Sequence, residues 1–154
     1  MKSPQVSAVE FIVRLAIAAV LGVVIGFERQ WRQRGVGLHT SSLVSIGAAM
    51  FALLDDTLDA GDTTRIAAGI VTGVGFIAGG AILRSGLTVV GLNTAATMWA
   101  TAAVGALAGF GFWRQALAGA VSIVLFNGVL QPLAAAIDRR TQLRHDQSKD
   151  GDSG

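Results

Sequence analysis

GIVTGVGFIAGGAILR, residues 69–84, poses the alternative that decides the fold. Gly73, Gly75 and Ala78 match G-x-G-x-x-G/A, the turn that cradles a dinucleotide pyrophosphate. That fingerprint needs a strand before it, a helix after it and an acid about twenty residues on to hold the ribose. The acids C-terminal of the run are Asp138, Asp146, Asp150 and Asp152, all too remote for that role. The surroundings are apolar on both sides. Here glycine has another use: in lipid, small residues four apart let helix backbones approach and pack.

Composition points the same way. Of 154 residues, 52% are hydrophobic and only 14% charged, well below the roughly one quarter of an average soluble domain. The absence of cysteine excludes a disulfide framework, a zinc–cysteine centre and a thiol nucleophile. A net charge of +2 gives no basic patch for nucleic acid. Neither His39 nor His145 has ligand partners at a useful spacing, and no Ser-His-Asp arrangement occurs. These features give no support to an enzyme and call for no cofactor or metal.

Five apolar segments lie at about 9–27, 38–54, 66–83, 88–109 and 112–137, each long enough to cross ~30 Å of hydrocarbon at about 1.5 Å per residue. The fold expected is all-α: a polytopic bundle of five transmembrane helices over residues 1–137, followed by a polar cytoplasmic tail, 138–154. A cleaved signal peptide fits the first segment poorly, since it carries Glu10 and Arg14 and ends in ERQWRQR rather than at a small-residue site. Basic residues stay on the cytoplasmic side. Arg29, Arg32, Arg34 and Arg84, with Arg139, Arg140, Arg144 and Lys149, fall on one side, against Lys2, Arg65 and Arg114 on the other. The N-terminus is therefore expected outside and the C-terminus inside, with the Asp-rich loop DDTLDAGDTTR outside.

The small-residue pairs Gly22/Gly26, Gly69/Gly73, Gly75/Gly79 and Gly105/Gly109 are expected to be helix-packing faces, with the third helix central. Asn93, Thr94, Thr97 and Thr101 lie within about two turns of the fourth span. The threonines either return their hydroxyls to their own helix or line a polar face. Asn93 either bonds a neighbouring helix or lines a wet cavity. Arg14, four residues after Glu10, is either an i, i+4 pair at the outer interface or an intramembrane charge. Glu28 and Arg29 sit at the inner end of the first helix, where an acid opposes the dipole and calls for an arginine partner such as Arg84. Asp55, Asp56, Asp59 and Asp62 do not have EF-hand spacing; a solvated turn is expected rather than a cation site.

Four segments taken in order resemble a known family: RLAIAAVLGVVIGFERQWR (14–32), GLHTSSLVSIGAAMFALL (37–54), RIAAGIVTGVGFIAGGAILR (65–84) and GLNTAATMWATAAVGALAGFG (91–111). Together they resemble the MgtC/SapB membrane domain, over about Arg14 to Phe126. The resemblance implies a bacterial inner-membrane protein without a catalytic reaction, linked to growth in low magnesium and to virulence. It also implies the F-type ATP synthase as a regulatory target, beside the lipid bilayer itself, and leaves room for a homodimer. A short form is expected, without the soluble C-terminal domain of longer members. LHTSS is a departure, because members often carry arginine and histidine there. Positions carried over by resemblance are Arg14, Glu28, Arg29, Arg65, Gly75, Gly79, Arg84, Asn93, Thr94, Thr97 and Trp99. Regulation of another membrane complex is the expected function. The alternative is a transporter or channel for Mg²⁺ or another small solute near the third and fourth helices.

Overall fold

The computed structural model describes residues 6–32, 37–58, 62–85 and 88–129. Its elements run α1 (Ala8–Trp31), α2 (Leu38–Leu58), α3 (Thr63–Gly80), β1 (Leu83–Ser85), β2 (Thr88–Val90) and α4 (Leu92–Gly109), then a fifth helix, α5, over 113–129. The chain divides into two compact units, Met1–Ile123 and Val124–Gly154. The first holds every element up to the middle of α5. Of the second, the described part is the end of α5, 124–129. The remainder of the expected fifth span and the tail 138–154 lie outside the described residues.

Local chemistry sets the helix ends. Ser7 caps α1, its hydroxyl accepting from the Glu10 N–H at 3.2 Å, which satisfies one of the donors a helix start leaves open. The start of α2 is capped from α1, where Gln30 Oε1 accepts from the Leu38 N–H at 3.1 Å. Asp62 caps α3 by accepting from the Arg65 N–H at 3.3 Å. α1 and α2 are long and apolar enough to cross a membrane. Large apolar side chains such as Ile12, Val20, Val24 and Phe27 stay exposed along α1. Exposed apolar surface of that extent marks a face that meets a membrane or another protein.

Two expectations are corrected here. The chain is not wholly helical: β1 and β2 form an antiparallel hairpin with Leu83 opposite Val90 and Ser85 opposite Thr88. α3 accordingly ends at Gly80 and α4 begins at Leu92, so the third apolar segment gives up Leu83 to the hairpin and the fourth gives up Thr88–Val90. Gly91 makes the exit possible. Its φ is +92°, and a Cβ there would fall on the Ala81 carbonyl oxygen, so only glycine fits.

The second correction concerns the centre of the bundle, which is α2 and not α3. Gly22 and Gly26 of α1 face α2: a Cβ at Gly22 would come within 2.8 Å of Ser45 Cβ, and one at Gly26 within 2.7 Å of Leu38 Cα. Gly109 of α4 comes to the other side of α2, where a Cβ would lie 2.6 Å from the Ala49 carbonyl oxygen, and Gly105 lies against Ser45 in the same way. Ser45 is fully buried between the two helices and donates to the Ala18 carbonyl of α1 at 2.7 Å. Alanines such as Ala48, Ala49 and Ala52 complete the seam. Among the described residues, Gly69, Gly73, Gly75 and Gly79 of α3 meet nothing within 4 Å at their Cβ positions.

Candidate functional site

The buried polar groups gather where α1 and α4 lie side by side. Arg29, in the last turn of α1, is 1% exposed. Its guanidinium crosses to α4, where Nη1 donates to Thr97 Oγ1 at 2.9 Å and Nη2 donates to Thr94 Oγ1 at 2.9 Å. A hydroxyl has one proton and two lone pairs. Thr97 gives its proton to the Asn93 carbonyl at 2.8 Å, which leaves its lone pairs for Arg29. Thr101 donates in turn to the Thr97 carbonyl at 2.7 Å. The threonine face is thus polarised in one direction, with acceptors turned to the arginine. The planar fork of arginine suits two acceptors three residues apart on a helix; a lysine ammonium would not span them equally.

Arg14 makes the matching contact at the other end. Its Nη1 donates to the Gly109 carbonyl at 3.1 Å, at the C-terminus of α4, while Nη2 pairs with Glu10 Oε1 at 2.5 Å. A cation there meets the negative end of the helix dipole and satisfies an open carbonyl. The next turn is shaped around it: Gly111 has φ +85°, and a Cβ would come within 3.0 Å of Arg14 Cζ. Arg14 and Arg29 are fifteen residues apart on α1, as are Thr94 and Gly109 on α4, each about 22 Å of helix. The two helices are therefore antiparallel and held at both ends.

The remaining candidate residues scatter. Glu28 is mostly buried, and its Oε1 lies 2.7 Å from Arg32 Nε, one turn on in the same helix. That ion contact lacks hydrogen-bond geometry, and among the described residues neither carboxylate oxygen meets a hydrogen-bond donor. Arg84 is on β1, Trp99 is half exposed on the outer side of α4, and Arg65 is exposed in the first turn of α3. Asn93 is exposed in the first turn of α4, at the helix end rather than deep within it. Asp55 departs from the solvated turn expected of it: it is 4% exposed and accepts from Thr63 Oγ1 at 2.5 Å, tying α2 to α3. The side chains of Asp56 and Asp59 lie outside the described residues. Among the described residues, no three acidic or histidine side chains converge on a metal site.

Sequence reasoning missed the burial of Arg29, the Ser45 bond and the Gly111 turn. One signal was available for the first: two threonines at i and i+3 offer a forked acceptor at helix spacing.

The comparisons with known proteins bear on the whole bundle. The family model described as "MgtC family" matches residues 15–136. The chain belongs to the MgtC family. An uncharacterised protein of Synechocystis sp. is 50% identical over 132 residues, covering 85% of this chain and 56% of that protein. The protein named MgtC of Salmonella typhimurium is 46% identical over 129 residues, 84% of this chain and 56% of its own length. Protein MgtC of Brucella abortus is 46% identical over 132 residues, with 84% and 55% covered. The chain thus spans little more than half the length of these curated MgtC-family relatives. No solved structure matches it. The MgtC-family match takes in both arginine contacts except the first residue of one, Arg14, which lies immediately before it.

Proposed function

We propose that this chain is a non-catalytic inner-membrane regulator, a five-span bundle that binds and modulates another membrane complex. The observation carrying this reading is the different state of its glycines. The pairs on α1 and α4 are consumed inside the bundle, whereas those on α3 open outward. Ala68, Thr72, Gly75 and Gly79 lie on one exposed face of α3 at helical spacing, the surface a partner helix needs for close approach. The antiparallel α1 and α4 are consistent with two crossings, α2 and α3, lying between them. The F-type ATP synthase is the partner favoured by family resemblance, and adaptation to low magnesium, with virulence, is the physiological setting.

Transport of Mg²⁺ or another small solute through a path near α3 and α4 is the competing reading. The cavity between those helices, about 300 Å³, is lined by side chains such as Ile70, Val71, Val74 and Leu107. A pathway for a hard cation needs oxygen ligands, so an apolar lining weighs against it. Thr97 and Thr101 hydroxyls are also committed to backbone carbonyls of α4.

Proteoliposomes loaded with a magnesium indicator separate the two. The regulator reading expects no protein-dependent Mg²⁺ flux, and recovery of a membrane complex on affinity-tagged protein that Gly75→Leu abolishes. Flux above that of empty vesicles would overturn it.

A further inference from the structure

The chain's three tryptophans stand at three depths of the bundle. Arg14 and Arg29 of α1 face Gly109 and Thr94 of α4, so the middle falls near Leu21 and Gly22 on α1 and near Thr101 on α4. Trp31 is about 14 Å from that middle, at 1.5 Å per residue. A Cβ at Gly119 of α5 would lie 3.3 Å from Val104 Cγ2 of α4, so α5 runs back alongside α4. Trp113, at its start, is therefore level with the end of α4 and with Arg14, about 11 Å from the middle on the opposite side. Trp99 is only about 4 Å from the middle.

The outer two differ from the third in their company. Trp31 is 78% exposed, with its ring 5.8 Å from that of Phe27 and Arg32 next in the chain. Trp113 is 52% exposed, and the Arg114 guanidinium lies 5.5 Å from its ring centroid, a cation–π contact. An indole has an apolar body and one N–H donor. With a cation beside it, it suits the layer where hydrocarbon meets water. Trp99 keeps apolar company, lining the α3/α4 cavity with Val71 and Ala103.

The hairpin fixes one of these levels independently. β1 and β2 precede Leu92, so they lie beyond Thr94 on the Trp31 side of the bundle. Among the described residues the sheet has two strands, so each is an edge whose outward N–H and C=O groups have no ladder partner. Leu83, Arg84, Val89 and Val90 are all exposed. An open sheet edge does not occur against hydrocarbon. The hairpin therefore needs a layer that holds water, at the same end as Trp31.

We infer that Trp31 with the β1–β2 hairpin, and Trp113 with Arg114, form two collars that hold the bundle at opposite headgroup layers of a bilayer, about 25 Å apart. Trp99 lies in the hydrocarbon between them. The inference rests on the chain being embedded in a membrane. The spacing agrees with the ~30 Å hydrocarbon core to within about a turn of helix. Arg14 and Arg29 then each stand within about one turn of a headgroup layer. A guanidinium there is far less costly than at the bilayer centre.

The test reconstitutes the full chain in phosphatidylcholine vesicles brominated either near the headgroup end or near the methyl end of the acyl chains. Three variants each keep one tryptophan, with the other two changed to phenylalanine, and circular dichroism checks that each keeps its helices. Trp31 and Trp113 should lose more fluorescence to shallow bromine, and Trp99 more to deep bromine. A second arm keeps all three tryptophans and uses the absence of native cysteine. Val89→Cys on the hairpin should react with a water-soluble maleimide in freeze-thawed vesicles. Val24→Cys, exposed near the middle of α1, should not. Stronger quenching of Trp31 or Trp113 by deep bromine, or an unreactive Val89→Cys, would overturn the inference. So would a Trp31 or Trp113 that neither lipid quenches, because protein rather than lipid would then cover it. Failure of the membrane reading looks different: the chain separates from the vesicles on flotation, and neither lipid quenches Trp99.

Discussion

Arg29 Nη1 reaches Thr97 Oγ1 at 2.9 Å across 68 residues of chain, and neither group is open to solvent. A guanidinium stays charged at any accessible pH, so its burial is tolerable only while its donors are met. Hydrogen bonds to charged groups contribute roughly 1.5–3 kcal/mol, and leaving a buried donor unmet costs a similar amount. Thr97→Val should therefore lower stability by about 1–3 kcal/mol, read as reduced thermal stability in detergent. A double-mutant cycle with Arg29→Ala should give a coupling energy well above zero. Additive effects would show that the contact contributes nothing.

At the opposite end, Arg14→Ala removes the cation at the α4 C-terminus. The expected loss is about 0.3–2 kcal/mol, the span for a charge at a helix terminus. Gly111→Ala should cost more than an ordinary surface change, because a non-glycine residue at φ +85° carries roughly 1–2 kcal/mol of strain and presses on Arg14. Gly91→Ala should be worse again, its Cβ falling on a backbone oxygen that cannot move aside. Unfolding midpoints of the three variants should fall in that order. A Gly91→Ala variant as stable as wild type would contradict the path drawn for the hairpin exit.

Glycine substitutions separate the inside of the bundle from its outside. Gly22→Leu and Gly105→Leu drive side chains into α2 and should abolish stable accumulation. Gly75→Leu and Gly79→Leu project into open space and should leave the folded bundle intact. Size-exclusion profiles in detergent distinguish the outcomes. If the α3 variants collapse as well, α3 is packed against something beyond the described residues.

Why that distinction was hidden in the sequence has a physical answer. All four glycine pairs have the same spacing, and spacing says only that a face is small. What selects the packed ones is the complementary face: Ser41, Ser45, Ala48, Ala49 and Ala52 form a small stripe along α2, and α1 and α4 close onto it. The helices themselves were legible because long apolar runs leave few alternatives. The hairpin was not, since the break at residues 84–86 reads equally well as a short loop between two spans, and Thr88–Val90 continues into the next apolar run. Arg29 looked like a residue suited to the helix dipole because its threonine partners lie a whole bundle away in sequence.

Topology has its own test. Reporter fusions after Arg34, Arg84 and Arg140 should read as cytoplasmic, and fusions near Asp59 and Arg114 as external, because basic residues cluster at the first three positions. A cytoplasmic signal at Asp59 would reverse the proposed orientation.

Asn93 is the residue whose role the fold changes most. Deep in hydrocarbon its amide would need a partner on another helix, and losing that bond would cost about 0.6–2 kcal/mol. Instead it stands exposed in the first turn of α4, where its backbone carbonyl takes the Thr97 proton and its side chain faces outward. The carbonyl survives any side-chain change, so the Arg29–Thr97–Asn93 chain should persist in Asn93→Ala. Stability should then shift by no more than about 0.5 kcal/mol, as at other surface sites. Asn93→Asp should be tolerated equally, since an exposed helix N-terminus favours a carboxylate. Membrane abundance and thermal stability in detergent measure both. Complementation of growth in low magnesium is the third readout. Two stable variants that fail to complement would place Asn93 on the surface that meets the partner complex, and a marked loss of stability in either would return it to the interior.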